Sequence, residues 1–289
     1  MTKKIIIDTD IGVDIDDTIA LAMACLSKDV EIKAVTTVYG YVEKKARIAR
    51  KVADLCGIDV PIAPGESKPR SNVKVPLTDL EDRMLPECPD IEFKSYAPEL
   101  IVSKIMENKN NIYLACLAPL TNIAKAIEIE PEITSYVKEI YFMGGTSKRK
   151  KPSHNIRSDV KSADIVLMSG IPMTLVSTET SKKAYWTPEE QEEIRKLNPP
   201  LTDFIYRQGK NWLELAKRDL VYLYDPLTIT TAITDEFVKM DNFHVSMTKG
   251  GRYAGRTHIR KDNTSHIRFV YDVDVDGFKK YVRNALKPL

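Results

Sequence analysis

Ile5-Ile6-Ile7-Asp8-Thr9-Asp10-Ile11-Gly12-Val13-Asp14-Ile15-Asp16-Asp17 runs from a continuous apolar stretch into five aspartates within ten residues. Three consecutive isoleucines read as a short strand covered on both faces. Beyond them, Ile19, Leu21, Ala22 and Leu26 recur at helical spacing. The acids therefore stand between a first strand and a first helix, at the strand's carboxyl end, where open α/β sheets bind ligands. Carboxylates crowded there raise one another's pKa. A hard divalent cation relieves the repulsion, and Ca2+ takes about six to eight oxygens. Gly12 lets the backbone turn sharply enough for both ends of the stretch to face one ion.

Other readings of the stretch explain less. Capping by Asp14, Asp16 and Asp17 accounts for one or two acids, not five. An EF-hand needs Asp or Asn at the fifth position and Gly at the sixth, which this spacing lacks. An aspartyl phosphatase would attack through Asp8 with Asp10 as acid and base. That leaves Asp16 and Asp17 idle and requires a phosphate-binding cation that no residue can be assigned to.

Outward from this stretch the pattern alternates. Residues 35–38, 112–117, 140–143 and 173–177 read as strands. Residues 44–55, 123–127, 162–168, 201–217 and 226–233 read as helices, and Thr187-Pro188-Glu189-Glu190 opens another with a cap and a first-turn proline. This predicts an α/β fold with a mostly parallel, doubly wound, Rossmann-like sheet. The tail differs. Residues 243–247, 257–259 and 267–271 read as a small antiparallel meander, followed by a helix over 277–286. No linker or repeat divides the chain, so one domain over 1–289 is expected. Residues 65–98 are rich in proline and charge and lack periodicity, as expected of a functional covering segment.

Composition narrows the class. Among 289 residues, 43 basic side chains against 41 acidic give a net charge of +2, too balanced for a nucleic-acid partner. No run approaches the roughly 18 apolar residues of a membrane span. The basic start Met1-Thr2-Lys3-Lys4 precedes an apolar stretch that stops at Asp8, too short for a signal peptide. Cys25, Cys56, Cys88 and Cys116 form no CxxC pair, and His244, His258 and His266 show no metal-ligand spacing. A cytoplasmic enzyme with buried thiols is the expectation.

The first strand with Asp8-Thr9-Asp10 to Leu21 resembles the signature of the inosine-uridine preferring nucleoside hydrolases, in the variant with one extra residue, here Ile15, before the paired acids. The likeness continues in order through Thr36-Thr37-Val38-Tyr39-Gly40, residues 60–65, Leu117-Ala118-Pro119-Leu120-Thr121-Asn122, Met143-Gly144-Gly145, Asn155 with Asp159, Tyr224-Asp225-Pro226-Leu227 and residues 273–278. It implies a nucleoside hydrolase fold and Ca2+-dependent cleavage of a ribonucleoside to base and ribose. By motif it implies metal ligands Asp10, Asp17, the Thr121 carbonyl and Asp225. It gives Asp10 the water's proton, Asp16 a ribose hydroxyl, Asn155 the sugar, and Asp8 a supporting role behind the ligands. Asp225 would hold both ion and substrate. It also implies a homodimer or homotetramer.

Three departures bear on specificity. Tyr41 stands where the family has a sugar-contacting Asn. Ser153-His154 replaces an acid and an aromatic, in a shortened 143–155 segment. Tyr224 replaces the His that protonates a leaving purine. Tyr224 is therefore the candidate proton donor, with Tyr41 and His154 as candidate substrate contacts, although His154 reads equally well as a solvated residue near Lys148-Arg149-Lys150-Lys151. Tyr206, Trp212, Tyr222 and Tyr224 are candidates for a base-stacking wall or for packing, and Asn122 and Asp159 read as helix caps. These changes predict poor use of inosine and uridine and preference for a different or larger base, with salvage of the deazapurine queuosine as one option. A non-catalytic relative that binds a nucleoside or sugar through the metal is the rival, which the retained Asp10 disfavours.

Overall fold

The computed structural model describes residues 2–147 and 151–288. β1 (Lys3–Thr9) leads to α1 (Asp16–Leu26), β2 (Val30–Thr37), α2 (Val42–Leu55) and β3 (Ile62–Pro64). The covering segment holds only α3 (Leu80–Met84) and one 3-10 turn before α4 (Ala97–Glu107). Next come β4 (Ile112–Cys116), α5 (Thr121–Ile129), β5 (Val137–Met143), α6 (His154–Ser158), α7 (Val160–Leu167) and β6 (Met173–Val176). A mostly helical stretch follows: α8 (Thr178–Ser181), β7 (Tyr185–Trp186), α9 (Pro188–Arg195), α10 (Leu201–Ala216), β8 (Val221–Tyr222) and α11 (Tyr224–Ile233). The tail is β9 (Val238–Met247), β10 (Thr257–Lys261), β11 (Ile267–Val273) and α12 (Val275–Ala285).

One nine-stranded sheet runs β10-β9-β11-β6-β5-β4-β1-β2-β3. Every pair from β11 to β3 is parallel, and β9 pairs antiparallel with both β11 and β10. The doubly wound expectation therefore holds. The tail is not a meander in strand order. β9 and β10 form a hairpin, but β11 returns to the other edge of β9 and lies parallel to β6. Its apolar Ile267, Phe269 and Val270 are buried, which suits an interior position better than an edge.

The continuous apolar run of β1 is explained by its two coated faces. Ile5 and Ile7 pack into the core beneath α1, α10, α11 and α12, while Ile6 joins the core beneath α4, α5 and α7. Thr187 opens α9 with a full capping box to Glu190. Cys25, Cys88 and Cys116 are buried, Cys56 is partly so, and all four are free thiols. Lys148, Arg149 and Lys150, most of the basic run noted in the sequence, lie outside the described residues.

Candidate active site

β1 is where the chain order reverses across the sheet, since β2 lies on one side of it and β4 on the other. Crevices at such switch points bind ligands. Here a cavity of about 470 Å³ opens over the carboxyl ends of β1, β2, β4 and β5. Asp10, Asp14, Asp16 and Asp17 line it from the loop after β1 and the start of α1. Tyr39 and Gly40 enter after β2, Leu117 after β4, and Met143 ends β5. His154 and Asn155 come from α6, Trp212 from α10, Tyr224 and Asp225 from α11, and Pro76, Thr78 and Glu81 from the covering segment.

The acids do not cap α1. Its N-cap is Ile15, with no side-chain cap bond. Asp225 likewise lies inside the first turn of α11, whose N-cap is Leu223. Carboxylate oxygens of Asp16, Asp17 and Asp225 instead gather within 4.8 Å of one another, each residue only 4% exposed. Their donors are few: the Thr9 hydroxyl on Asp17 and the Asp225 amide on Asp16 at 3.3 Å. Burial first, and the neighbouring carboxylates second, push all three well above the usual carboxylate range. Burial also lifts Asp14 to about 6 and Asp8 to about 7. Three buried, converging, under-partnered carboxylates are a donor set that fits a hard divalent cation.

The residues named by the resemblance do not all converge on one point. Asp16, expected on a ribose hydroxyl, belongs to the carboxylate cluster. Asp10 lines the same cavity but is not part of that grouping. Thr121 begins α5, and its hydroxyl donates to Asp159 at 2.8 Å; it is not among the lining residues. Tyr41 also stays off the lining, with the Lys44 ammonium 4.1 Å from its ring centroid. His154 does line the cavity, edge-on to Tyr39 at 6.2 Å between ring centroids. Asn155 Nδ2 donates to the Leu117 carbonyl at 2.6 Å and the Met143 carbonyl at 3.0 Å.

Of the aromatic candidates, Trp212 and Tyr224 face the cavity, with Tyr222 packed against Tyr224 at 5.5 Å. Tyr206 instead donates to Glu192 at the surface. Burial, then the charges of Asp16 and Asp14, push the Tyr224 phenol far up, so it stays protonated. Asn122 does not cap α5, whose N-cap is Leu120 with no side-chain cap bond. Asp159 does cap α7 through Ser162, and it also accepts from the Arg70 and Ser71 amides, tying the covering segment down.

Lining residues given no role in the sequence include Tyr39, Lys45, Glu81 and Arg218. Tyr39 has a left-handed backbone (φ 67°), a strained conformation for a non-glycine residue and one that gathers at functional sites. Its place inside a quoted motif was the available signal. The other three are brought in by folding alone.

Comparison with known proteins agrees with this geometry. The family model "Inosine-uridine preferring nucleoside hydrolase" matches residues 5–280. The pyrimidine-specific ribonucleoside hydrolase RihA of Photobacterium profundum is 33% identical, covering 96% of each chain. Uridine nucleosidase 1 of Arabidopsis thaliana is 28% identical over 98% of this chain and 93% of its own. Among solved structures, a plant nucleoside hydrolase superposes with TM-score 0.90 at 24% identity over the whole of both chains. A purine-preferring ribonucleoside hydrolase from Gardnerella vaginalis gives 0.85 at 24% identity over 98% of each. Three of these are named for pyrimidine, uridine or purine nucleosides, and nothing in the names supports the queuosine option. With the sheet, the buried acid cluster and a match along nearly the whole length, the chain belongs to the inosine-uridine preferring nucleoside hydrolase family and is a ribonucleoside hydrolase.

Proposed function

We propose that the protein is a Ca2+-dependent N-glycosidase acting on pyrimidine ribonucleosides. The observation that carries the reading is the gathering of Asp16, Asp17 and Asp225 in the cavity that Asp10 also lines. These carboxylates would hold the ion, which when bound supplies Lewis acidity that grips the ribose diol and acidifies water. Asp10 accepts the proton as water oxygen bonds to the anomeric carbon and the bond to the base nitrogen breaks, its electron pair leaving with the base. The surrounding carboxylates stabilise the positive charge that develops on the sugar. Asn155 has its nitrogen committed to backbone and meets the sugar through its carbonyl oxygen.

The base preference replaces the expectation of a larger base. A departing purine benefits from protonation by a group titrating near neutrality, and the Tyr224 phenol, raised further by burial, is a much weaker acid than an imidazole. The phenol can donate a hydrogen bond, and a pyrimidine carbonyl accepts one. The names of the quoted relatives RihA and uridine nucleosidase point the same way. The test is ribose release from uridine, cytidine, inosine and adenosine, with and without chelator. Turnover that is fastest on uridine or cytidine and lost on chelation is expected; inosine as the best substrate overturns the base preference.

A further inference from the structure

Lys45 and Glu81 form an ion pair at 3.5 Å with both side chains only 3% exposed. Lys45 stands in the first turn of α2, and Glu81 is in α3 of the covering segment. The Lys45 ammonium also donates to the carbonyls of Asp10 at 2.5 Å and Ile11 at 3.1 Å. Thr78, a further lining residue, donates to Glu81 at 3.0 Å. Gly12 sits against both partners: a side chain there would meet Glu81 at 3.1 Å and Lys45 at 3.7 Å, at a φ of 113°.

Two other basic residues of α2 also reach the covering segment. Lys44 pairs with Asp82 at 2.6 Å and Arg47 with Asp90 at 3.4 Å, both at the surface. Exposed pairs of this kind hold little. The buried pair is different in kind. Apolar side chains would fill the same space without the cost of desolvating two charges. What an ammonium adds is donors for two consecutive carbonyls in a loop that sits off the end of a strand, where no ladder partner satisfies them.

We infer that Lys45 is a positioning residue for hydrolysis: it fixes the peptide carrying Asp10, and Glu81 of the seated covering segment holds it there. The inference rests on the reading of Asp10 as the base. A general base acts only within hydrogen-bond reach of the proton it takes, and displacement of about 1 Å costs about 100-fold in rate. The covering segment and the loop of the base are thus tied through a single ammonium.

The experiment uses the Ca2+-loaded protein with uridine, in Lys45→Met, Glu81→Gln and the double variant. Lys45→Met is expected to lower kcat about 100-fold while KM moves by less than about threefold. Glu81→Gln, which keeps shape and removes the charge, lowers kcat less, and the double variant is no worse than Lys45→Met alone. Amide exchange at residues 10–12, measured well below the melting temperature, rises in both single variants. Unchanged kcat, or losses that multiply in the double variant, overturns the inference. If Lys45→Met does not fold, kcat and exchange in Glu81→Gln decide the matter. A wild-type protein that releases ribose from no nucleoside would defeat the hydrolase reading instead, and that appears in the wild-type arm alone.

Discussion

Asn122 reaches back from α5 to Asp8 at the end of β1, with its Nδ2 2.8 Å from the Asp8 carboxylate. The same amide donates to the Thr37 carbonyl at 3.1 Å, and its oxygen accepts from the Glu66 amide at 2.9 Å. One side chain thus joins β1, β2, α5 and the start of the covering segment. Gly65 has no side chain because Asn122 occupies the space a Cβ would need.

Asn122→Leu keeps the volume and removes every bond. Each buried polar group left unsatisfied costs about 1–3 kcal/mol. A lower denaturation midpoint with an unchanged m-value is expected. A midpoint equal to wild type would mean that the cross-brace contributes nothing.

Metal-free protein should lose stability as pH rises. Asp8 and Asp14 titrate near 7 and 6 in the folded state, and Asp16, Asp17 and Asp225 are also raised, against about 3.9 when unfolded. The folded state then binds more protons than the unfolded state, so the contribution is whole below about pH 4 and is lost as pH climbs through the folded values. Ca2+ at 100 times its dissociation constant restores about 2.7 kcal/mol. Chelated protein melted between pH 4 and 8, with and without added Ca2+, provides the check; a melting temperature that rises with pH in the metal-free state contradicts it.

Asp10→Asn should leave the fold intact and lower kcat by at least the roughly 10²–10⁴ of general-base catalysis. Steady-state rates on uridine beside a melting curve measure both. Near wild-type turnover would remove Asp10 from the mechanism.

Tyr224→Phe removes the donor but keeps the ring against Tyr222. kcat/KM for uridine should fall about tenfold, in line with one hydrogen bond of roughly 1.4 kcal/mol. Tyr224→His should raise inosine turnover relative to uridine, because an imidazole can protonate a leaving purine. An unchanged inosine-to-uridine ratio would show that this position does not set the preference.

The first strand, the acid cluster and the parallel order of the sheet were legible in the sequence because each is local. Three isoleucines state that a strand is coated on two faces, and the core beneath each face confirms it. The carboxylates pointed to a cation site because helix capping accounts for only one or two of five acids in ten residues. Tyr41 was placed by motif alone, and a motif carries no information on the Lys44 ammonium that lies 4.1 Å from its ring centroid.

By itself, then, the sequence determined the fold class, the end of the sheet at which the acids gather and a donor set that suits a hard divalent cation. Those properties follow from periodicity and charge within a dozen residues. Only the tertiary structure decided that Asp16 gathers with Asp17 and Asp225, that Asn122 braces Asp8, and that Lys45 meets Asp10 and Glu81. Each of those contacts joins residues far apart in the chain or depends on how a turn aims adjacent carboxylates. The physical reason is that a hydrogen bond or an ion pair is set by a few tenths of an ångström in three dimensions, which no spacing along the chain encodes.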